Sequence, residues 1–283
     1  MNKFIIVGAG RRVQQDILPV LCFLGYKMED IFIYAKTKKN ILVRDIIYDV
    51  KKFKELKKID DKWIVYIAVP TIISEFIIDQ VLEINPRVKI IIETPINNFS
   101  LVNKYKHYNI CVAEDAYFLG KYLILKGFLN IKKFNFLFMY KSAYSYHGIA
   151  FIESLLSNIF FGFSFFGIYI GFCKKGIALI FGERKYEKGS IWFNSTKLNL
   201  PELTVSQKKL IGGYSDYDNL SYRFLDLKRI GLGNLINDFI KENCFLISLS
   251  EGFNHYKKSK MINKYNLKNI FKKQIKTVLN KLN

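Results

Sequence analysis

The chain has 283 residues, half of them hydrophobic, with 44 lysines and arginines against 24 aspartates and glutamates, which gives a formal net charge of +20. This composition excludes an intrinsically disordered protein, which would be poorer in apolar residues, and the length allows two modest domains with their own cores. The basic residues are spread along the chain. The charge therefore predicts no nucleic-acid partner by itself, although its positive field would attract an anionic cofactor.

Strands and helices alternate in the first 115 or so residues. Short apolar runs that end at glycine, proline or polar residues predict buried strands, and apolar residues at helical spacing predict helices. The predicted strands are 3–7, 31–34, 63–69, 88–92 and 110–112, and the predicted helices are 13–24, 72–84 and 100–108. This alternation is typical of a parallel sheet with right-handed crossovers, as in a Rossmann domain.

After about Asp115 strands follow one another, which indicates an antiparallel or mixed sheet. The predicted strands are 131–140, 163–172, 177–181, 191–193 and 222–227, and helices are predicted over 118–125, before about Phe160, over 230–239 and in the Lys-rich C-terminus. The fold class predicted is therefore α/β, with a Rossmann domain over residues 1–117. An α+β domain with an open mixed or antiparallel sheet is predicted over residues 118–283.

Features that bear on location predict a cytoplasmic protein. The uncharged stretch 154–173 is long enough to span a bilayer, but its glycines and serines favour a helix followed by a strand. The four cysteines form no CxxC pair, and with three histidines in the chain no zinc-ligand spacing appears, so we expect free thiols and no metal site. The N-terminus runs straight into a strand, and we expect no signal peptide.

A glycine-rich turn directly follows the first predicted strand. It reads Gly8-Ala9-Gly10 and is followed by Arg11, Arg12 and Val13, the last in place of the third glycine of the usual fingerprint. The first glycine permits the tight turn, and the second lets the backbone approach a pyrophosphate at the start of the next helix. Because the turn lies between a strand and a helix, the sequence predicts a dinucleotide site here rather than a purely structural turn.

The end of the second predicted strand carries cations where an NAD-selective site would carry a carboxylate. The residues there are Lys36, Thr37 and Lys38. Lysines and a hydroxyl suit the 2′-phosphate of NADP, and Arg11 or Arg12 could add to that contact. The sequence thus favours NADP over NAD, with NAD still possible, and the alternative is that these lysines are simply solvated.

Several motifs together resemble the Gfo/Idh/MocA family, the group of glucose–fructose oxidoreductase and inositol dehydrogenase. The resembling segments are Gly8-x-Gly10 with Pro19, Tyr66-Ile67-Ala68-Val69-Pro70 with Glu75, Ile91-Ile92-Glu93-Thr94-Pro95, and Ile230 to Ile240. The third of these matches the family's Glu-Lys-Pro motif. The resemblance covers residues 3–118 most clearly.

The resemblance implies a two-domain NAD(P)-dependent oxidoreductase whose second domain often forms oligomers. Family substrates are commonly sugars, polyols or nucleotide sugars, and some members reduce imines or linear tetrapyrroles. The resemblance also implies that Val69 and Pro70 line the cofactor cleft, and that Glu93, Thr94 and Pro95 shape the loop that meets the nicotinamide ring. These segments end parallel strands, where open α/β sheets bind their ligands.

The chain departs from the family at two catalytic positions. Thr94 stands where the family has a lysine, and alignment of the second motif on Gly148 and Glu153 puts Ala150 at the family's histidine. We therefore predict a reductase that transfers hydride from NADPH to a carbonyl or imine of a sugar-like or secondary-metabolite substrate. The predicted proton donor is Tyr117 or His147, the other candidates being Tyr144 and Tyr146. His107 and His255 lie in Lys-rich stretches and are predicted to be exposed and inert.

Two other functions stay open. The losses at Thr94 and Ala150 suit a non-catalytic protein that binds a dinucleotide or a nucleotide sugar. The C-terminal residues 267–282 form a basic amphipathic pattern, which predicts weak association with a membrane surface unless this face docks on the protein's own core. No nucleic-acid-binding module is recognised. The predicted partners are a small-molecule substrate and further copies of the chain.

Overall fold

The structure, a computed structural model, describes residues 2–43, 45–125, 136–142, 145–156, 159, 161–165, 168–173, 176–182, 190–193, 196–199, 224–241 and 247–264. The chain divides into two compact units. The first comprises Met1–Asp115 and Arg229–Phe253, and the second comprises Ala116–Lys228 and Asn254–Asn283. This division differs from the predicted single boundary after residue 117, because a late segment of the chain returns to the first unit.

A seven-stranded sheet forms the centre of the first unit. Its strands are β1 (Phe4–Val7), β2 (Ile31–Ala35), β3 (Lys39–Val43), β4 (Ile46–Lys52), β5 (Ile64–Ile67), β6 (Lys89–Glu93) and β7 (Ile110–Ala113). Their order across the sheet is β3-β4-β2-β1-β5-β6-β7, and every neighbouring pair is parallel except β3 with β4. Strands β1, β5 and β7 are buried along their whole length, as expected for a parallel sheet covered on both faces.

Helices connect the parallel strands as the sequence predicts. A helical segment after Gly10 has a π-helical part over Val13–Ile17 and continues as α1 (Leu18–Phe23); α2 spans Thr71–Ile84 and α3 spans Phe99–Tyr105. Between β2 and β4 the chain forms the antiparallel strand β3 in place of a helix. The sequence analysis assigns no strand to residues 39–43, because only Ile41 and Val43 of this strand are buried and the apolar signal is short.

The second unit contains a six-stranded mixed sheet. Its strands are β8 (Phe136–Ser142), β9 (Phe161–Phe165), β10 (Ile168–Cys173), β11 (Gly176–Gly182), β12 (Ser190–Phe193) and β13 (Thr196–Asn199), in the order β13-β12-β8-β11-β10-β9. Among the strands that the structure describes here, only the pair β8–β11 is parallel. Helix α4 (Asp115–Leu125) begins at the boundary of the units, and α5 (Ser145–Leu156) lies against β8 and β11. The predicted fold class, a Rossmann domain followed by an α+β domain, is confirmed.

Two late helices complete the described chain, α6 (Phe224–Ile240) and α7 (Leu249–Lys264). The predicted strand 222–227 is wrong over residues 224–227, which form the first turn of α6. Apolar residues continue from this turn at helical spacing through Leu232, Leu235 and Phe239, so the run belongs to a helix and not to a strand. No helix among the residues described is long and apolar enough to cross a membrane.

Candidate functional site

The glycine turn lies at the point where the strand order of the first unit reverses. Strand β1 has β2 on one side and β5 on the other, and open α/β sheets bind ligands in the crevice at such a switch point. The N–H of Gly8 donates to the carbonyl of Tyr34 at 2.7 Å, and the N–H of Ala68 donates to the carbonyl of Val7 at 2.8 Å. The turn is thereby joined to the ends of both neighbouring strands.

The two glycines of the turn have different surroundings. Gly8 has φ +126°, and a Cβ built there would lie 2.3 Å from the carbonyl oxygen of Ala68, so only glycine fits. A Cβ at Gly10 would meet nothing within 4 Å, and this residue is exposed at the start of the following helix. The open backbone at Gly10 fits the approach of a dinucleotide pyrophosphate, which a side chain there would obstruct.

The predicted phosphate-binding lysines lie at the carboxyl end of β2. Lys36, Thr37 and Lys38 are all exposed and directly follow this strand. Two more lysines lie beside them and were not predicted from the sequence. In the parallel pairing of β2 with β4, Lys51 is the partner of Tyr34, and Lys52 is the partner of Ala35. Both are exposed, so the end of β2 lies in a concentration of positive charge.

The loops after β5 and β6 come together at the same edge of the sheet. Val69 is partly buried, Pro70 is exposed, and both immediately precede helix α2. The hydroxyl of Thr71 donates to the carbonyl of Pro95 at 3.3 Å, so the two loops are in contact. Glu93, Thr94 and Pro95 are half-buried. The predicted site residues that follow β1, β2, β5 and β6 thus lie at one edge of the sheet of the first unit.

A partly buried ionic cluster joins residues at this edge, and Arg12 is at its centre. We call Arg12, Asp16, Glu93, Asp115 and Tyr66 the Arg12 cluster. The guanidinium donates to Glu93 Oε1 at 2.8 Å, to Asp16 Oδ2 at 2.8 Å, and to both carboxylate oxygens of Asp115 at 2.9 and 2.8 Å. The hydroxyl of Tyr66 donates to Glu93 Oε1 at 2.6 Å.

The charges of the cluster hold its groups in defined protonation states. Burial alone would lower the pKa of the Arg12 guanidinium, but Asp115 and Glu93 raise that pKa well above its ordinary value. Burial and the Glu93 carboxylate raise the pKa of Tyr66 well above its ordinary value, so its hydroxyl stays protonated. Arg12 therefore donates to carboxylates of the chain itself, and the phosphate contact of Arg11 or Arg12 stays a prediction. Arg11 is exposed and donates to Gln15 Oε1 at 2.7 Å.

The sequence analysis did not find the carboxylates around Arg12. Asp16 lies one helical turn after Arg12, which is a spacing typical of an ion pair. Asp115 lies 103 residues away in the chain, and only the packing of β7 beside β6 brings it near. The sequence offered one signal for this cluster: Arg12 is the second of two basic residues and directly precedes the buried face of the first helix.

The predicted proton donors belong to the second unit. Tyr117 is half-buried in α4, with Lys121 Nζ 4.7 Å from its ring centroid. His147 is buried in α5, its ring 4.2 Å from that of Tyr146. Ala150, at the family's histidine position, is completely buried. Tyr144 lies outside the described residues.

A second buried ionic cluster lies within the second unit, and the sequence analysis predicted one of its members wrongly. His255 is 2% exposed, in contrast to the predicted exposed position, because α7 turns this side chain inward although lysines flank it. Its Nε2 lies 2.7 Å from Glu153 Oε2, and Lys258 Nζ donates to Glu153 Oε1. Burial raises the pKa of Glu153, but its bonds to His255 and Lys258 outweigh burial and lower it.

Comparisons with known proteins support the fold. No family model matches the chain, and no curated protein matches it significantly in sequence. Among solved structures it is similar to a myo-inositol dehydrogenase from Corynebacterium glutamicum, with 12% identity, a TM-score of 0.61, and coverage of 95% of this chain and 97% of that one. It is also similar to a levoglucosan dehydrogenase in complex with NADH and levoglucosan, with 11% identity, a TM-score of 0.60, and coverage of 95% and 98%.

A dehydrogenase from Chromobacterium violaceum shows 13% identity and a TM-score of 0.59, with coverage of 100% of this chain and 99% of that one. These matches extend over both units and not over the Rossmann part alone. The chain therefore shares the two-domain fold of these dehydrogenases, and the fold implied by the resemblance is confirmed.

Proposed function

We propose that this protein is an NAD(P)-dependent oxidoreductase. The observation that carries the proposal is the pair of glycines at the switch point of the sheet: Gly8 is required by packing, while the backbone at Gly10 is open at the start of a helix. The similarity to dehydrogenases, one of them solved with NADH, supports the same conclusion. When bound, the nicotinamide cofactor would supply or accept a hydride.

We further propose that NADP is preferred to NAD. Lys36 and Lys38 flank a threonine hydroxyl at the end of β2, and Lys51 and Lys52 lie on the neighbouring strand. Ammonium groups and a hydroxyl would neutralise and bind a 2′-phosphate, whereas NAD recognition at this position uses a carboxylate for the ribose hydroxyls.

The double variant Lys36→Met/Lys38→Met is expected to weaken NADPH binding by about tenfold to a hundredfold and NADH binding by less than about twofold. The loss is specific because only NADPH carries the 2′-phosphate. Isothermal titration calorimetry with each cofactor measures both values. The matched control is Lys57→Met/Lys58→Met, which removes the same charge from exposed lysines before β5. Equal losses of affinity for NADPH and NADH, or an equal loss of NADPH affinity in the control, would contradict the proposed preference for NADP.

The proposed reaction is reduction of a carbonyl or imine in a sugar-like or secondary-metabolite substrate. Hydride arrives at the carbon, and the heteroatom receives the electron pair of the broken π bond together with a proton. Thr94 cannot supply that proton as a cationic acid, so another group must do so. Tyr117 and His147 are the proposed donors. The similar structures include a myo-inositol dehydrogenase and a levoglucosan dehydrogenase, which supports a sugar-like substrate.

Replacing the correct donor is expected to lower turnover by about a hundredfold to ten-thousandfold while NADPH affinity stays within about twofold. Tyr117→Phe and His147→Ala test the two candidates separately, with NADPH oxidation at saturating acceptor as the readout. Unchanged turnover in both variants would reject both residues as donors.

The alternative function is a dinucleotide- or nucleotide-sugar-binding protein without catalysis. The residues that favour it are Thr94 and the fully buried Ala150, which stand at the family's lysine and histidine. It predicts saturable cofactor binding with no oxidation of NADPH by any carbonyl or imine acceptor, and an acceptor screen with bound NADPH separates it from the enzyme.

We propose that the partners of this protein are a small-molecule substrate and a second copy of the chain. Cross-strand pairs put Phe161, Phe163, Ile170 and Phe172 on one face of the second sheet, and Phe161 and Phe163 are 58% and 39% exposed. The partners of Phe172 and Ile170 on β11 are Ile177 and Leu179, also apolar. An exposed apolar face can pair with itself about a twofold axis.

Phe163→Glu is expected to convert the oligomer to a monomer, because a carboxylate on this face cannot be buried against its copy without a large desolvation cost. Sedimentation velocity gives the mass directly. The control is Leu42→Glu, which alters an exposed apolar residue of the first unit. A wild-type protein that sediments as a monomer at micromolar concentration would contradict the proposal.

The proposed location is the cytoplasm. The cysteines that the structure describes, Cys22, Cys111 and Cys173, are free thiols, which suits a reducing compartment. The weak membrane-surface association predicted for residues 267–282 concerns a segment outside the described residues. It is proposed on sequence pattern alone.

A further inference from the structure

The Arg12 side chain joins parts of the first unit that are distant in sequence. Its Nε atom contacts Glu93 at the end of β6, and one terminal nitrogen contacts Asp16 in the following helical turn. The other terminal nitrogen forms a bidentate contact with Asp115, which follows β7. Tyr66 of β5 reaches the same Glu93 oxygen. A single guanidinium therefore links the glycine-turn helix to the carboxyl ends of β6 and β7, and Glu93 extends the link to Tyr66 of β5.

All three nitrogens of this guanidinium are used within the protein. The Arg12 side chain is only 18% exposed, and the Asp115 side chain is 3% exposed. Charge-assisted contacts of this kind are strong and directional, and moving Arg12 to a phosphate would break its four hydrogen bonds to Asp16, Glu93 and Asp115. This geometry is unfavourable for a direct contact between Arg12 and a cofactor phosphate. The contacts of Arg12 point to a different role.

The order of strands indicates which part of a bound dinucleotide the Arg12 cluster would meet. The lysines proposed for the 2′-phosphate follow β2, and the glycine turn proposed for the pyrophosphate follows β1, the next strand. Continuing across the crevice in the same direction leads to β5 and β6. Neighbouring strands lie about 4.8 Å apart. The nicotinamide half of the cofactor would therefore meet the loop formed by Glu93, Thr94 and Pro95.

We propose that Arg12 is a positioning residue: it holds Glu93, and through it the loop of residues 93–95, in the position that receives the nicotinamide ring. This inference rests on the proposed NAD(P)-dependent function. Arg12 touches neither phosphate nor substrate in this role. It acts through one carboxylate that is also held by the Tyr66 hydroxyl, so two donors fix the same Glu93 oxygen.

The test compares NADPH with 2′-phospho-ADP-ribose, which keeps both phosphate sites and lacks the nicotinamide ring. Calorimetric titration of Arg12→Met is expected to show NADPH binding weakened by about tenfold and binding of the ring-free ligand changed by less than about twofold. Arg12→Lys, which keeps a cation among the carboxylates, is expected to recover part of the NADPH affinity. Arg87→Met, an exposed arginine before β6, is the control and should change neither value.

A milder variant covers the case in which Arg12→Met does not fold. Tyr66→Phe removes only the second donor to Glu93 and should weaken NADPH binding in the same ring-dependent manner, by about threefold. Equal weakening of both ligands would overturn the proposal in favour of a direct phosphate contact. Unchanged affinity for both would overturn it in favour of a purely stabilising role. Failure of the wild-type protein to bind NADPH would instead overturn the proposed function, and this inference with it.

Discussion

Replacing Gly8 by alanine is expected to lower the free energy of unfolding by about 2–5 kcal/mol, because two independent costs add. The backbone at Gly8 has φ +126°, which a residue with a Cβ rarely adopts. The new Cβ would also lie 2.3 Å from the carbonyl oxygen of Ala68, so the loop after β5 would have to move. Urea unfolding followed by circular dichroism measures the change.

The matched control is Gly10→Ala, two residues later in the same turn. The added Cβ meets no protein atom within 4 Å, so we expect a change in unfolding free energy below about 1 kcal/mol. If the open space at Gly10 is where a pyrophosphate approaches, this variant should still lose about tenfold or more in NADPH affinity. A stable Gly10→Ala protein with unchanged affinity would show that the space has no role in binding, and a stable Gly8→Ala would contradict the packing argument.

Replacing Glu153 by glutamine is expected to lower the free energy of unfolding by about 2–4 kcal/mol at pH 7. Glu153 is 6% exposed and holds both His255 and Lys258, so its neutralisation leaves the ammonium of Lys258 without its buried counter-ion. The Nδ1 atom of His255 has no hydrogen-bond partner among the described residues, and Glu153 supplies the one partner of that ring. Glu83→Gln, at an exposed position of α2, should change stability by less than about 0.5 kcal/mol.

The loss caused by Glu153→Gln should depend on pH. The pKa of Glu153 is lowered in the folded protein from its ordinary value of 4.5, so its contribution is fully present above about pH 4.5. As the pH falls through the lowered pKa, the wild-type carboxylate gains a proton and the difference between the two proteins shrinks. Urea unfolding at several pH values between about 3.5 and 7 tests this. A difference that stays constant over this range would contradict the ionic origin of the stabilisation.

Much of the Rossmann part could be predicted from the sequence because buried parallel strands leave a strong local signal. Residues 64–67 are wholly apolar apart from the Tyr66 hydroxyl, and Pro70 follows them closely. Strand β3 gave no such signal, since it lies at the sheet edge and is only partly buried. Its presence depends on pairing with β4, a tertiary property.

Two predictions in the late part of the chain are wrong for the same reason. In both, the local composition of a short segment was used to predict solvent exposure or a strand. The lysines around His255 indicated a solvated segment, yet a helix with lysines on one face buries the residues on the other. The aromatic residues near Phe224 indicated a strand, yet α6 buries apolar residues at helical spacing. Neither outcome follows from residue types within a short window.

Sequence reasoning found the glycines and lysines of the candidate site because each follows a strand in a recognisable pattern. It offered Arg11 or Arg12 as an addition to the phosphate contact, because a basic residue beside a glycine turn suits an anion. Two of the three carboxylates that hold Arg12, Glu93 and Asp115, come from the ends of other strands, and only the sheet order shows that they converge on it.

Calorimetric titration of the wild-type protein with NADPH and then with NADH is the decisive test of the proposed cofactor. We expect saturable binding of NADPH at one site per chain, and NADH affinity weaker by about tenfold or more because the 2′-phosphate meets Lys36 and Lys38. Binding of neither cofactor would contradict it. The turn at Gly8 would then be purely structural, and the assignment as an NAD(P)-dependent oxidoreductase would have to be abandoned.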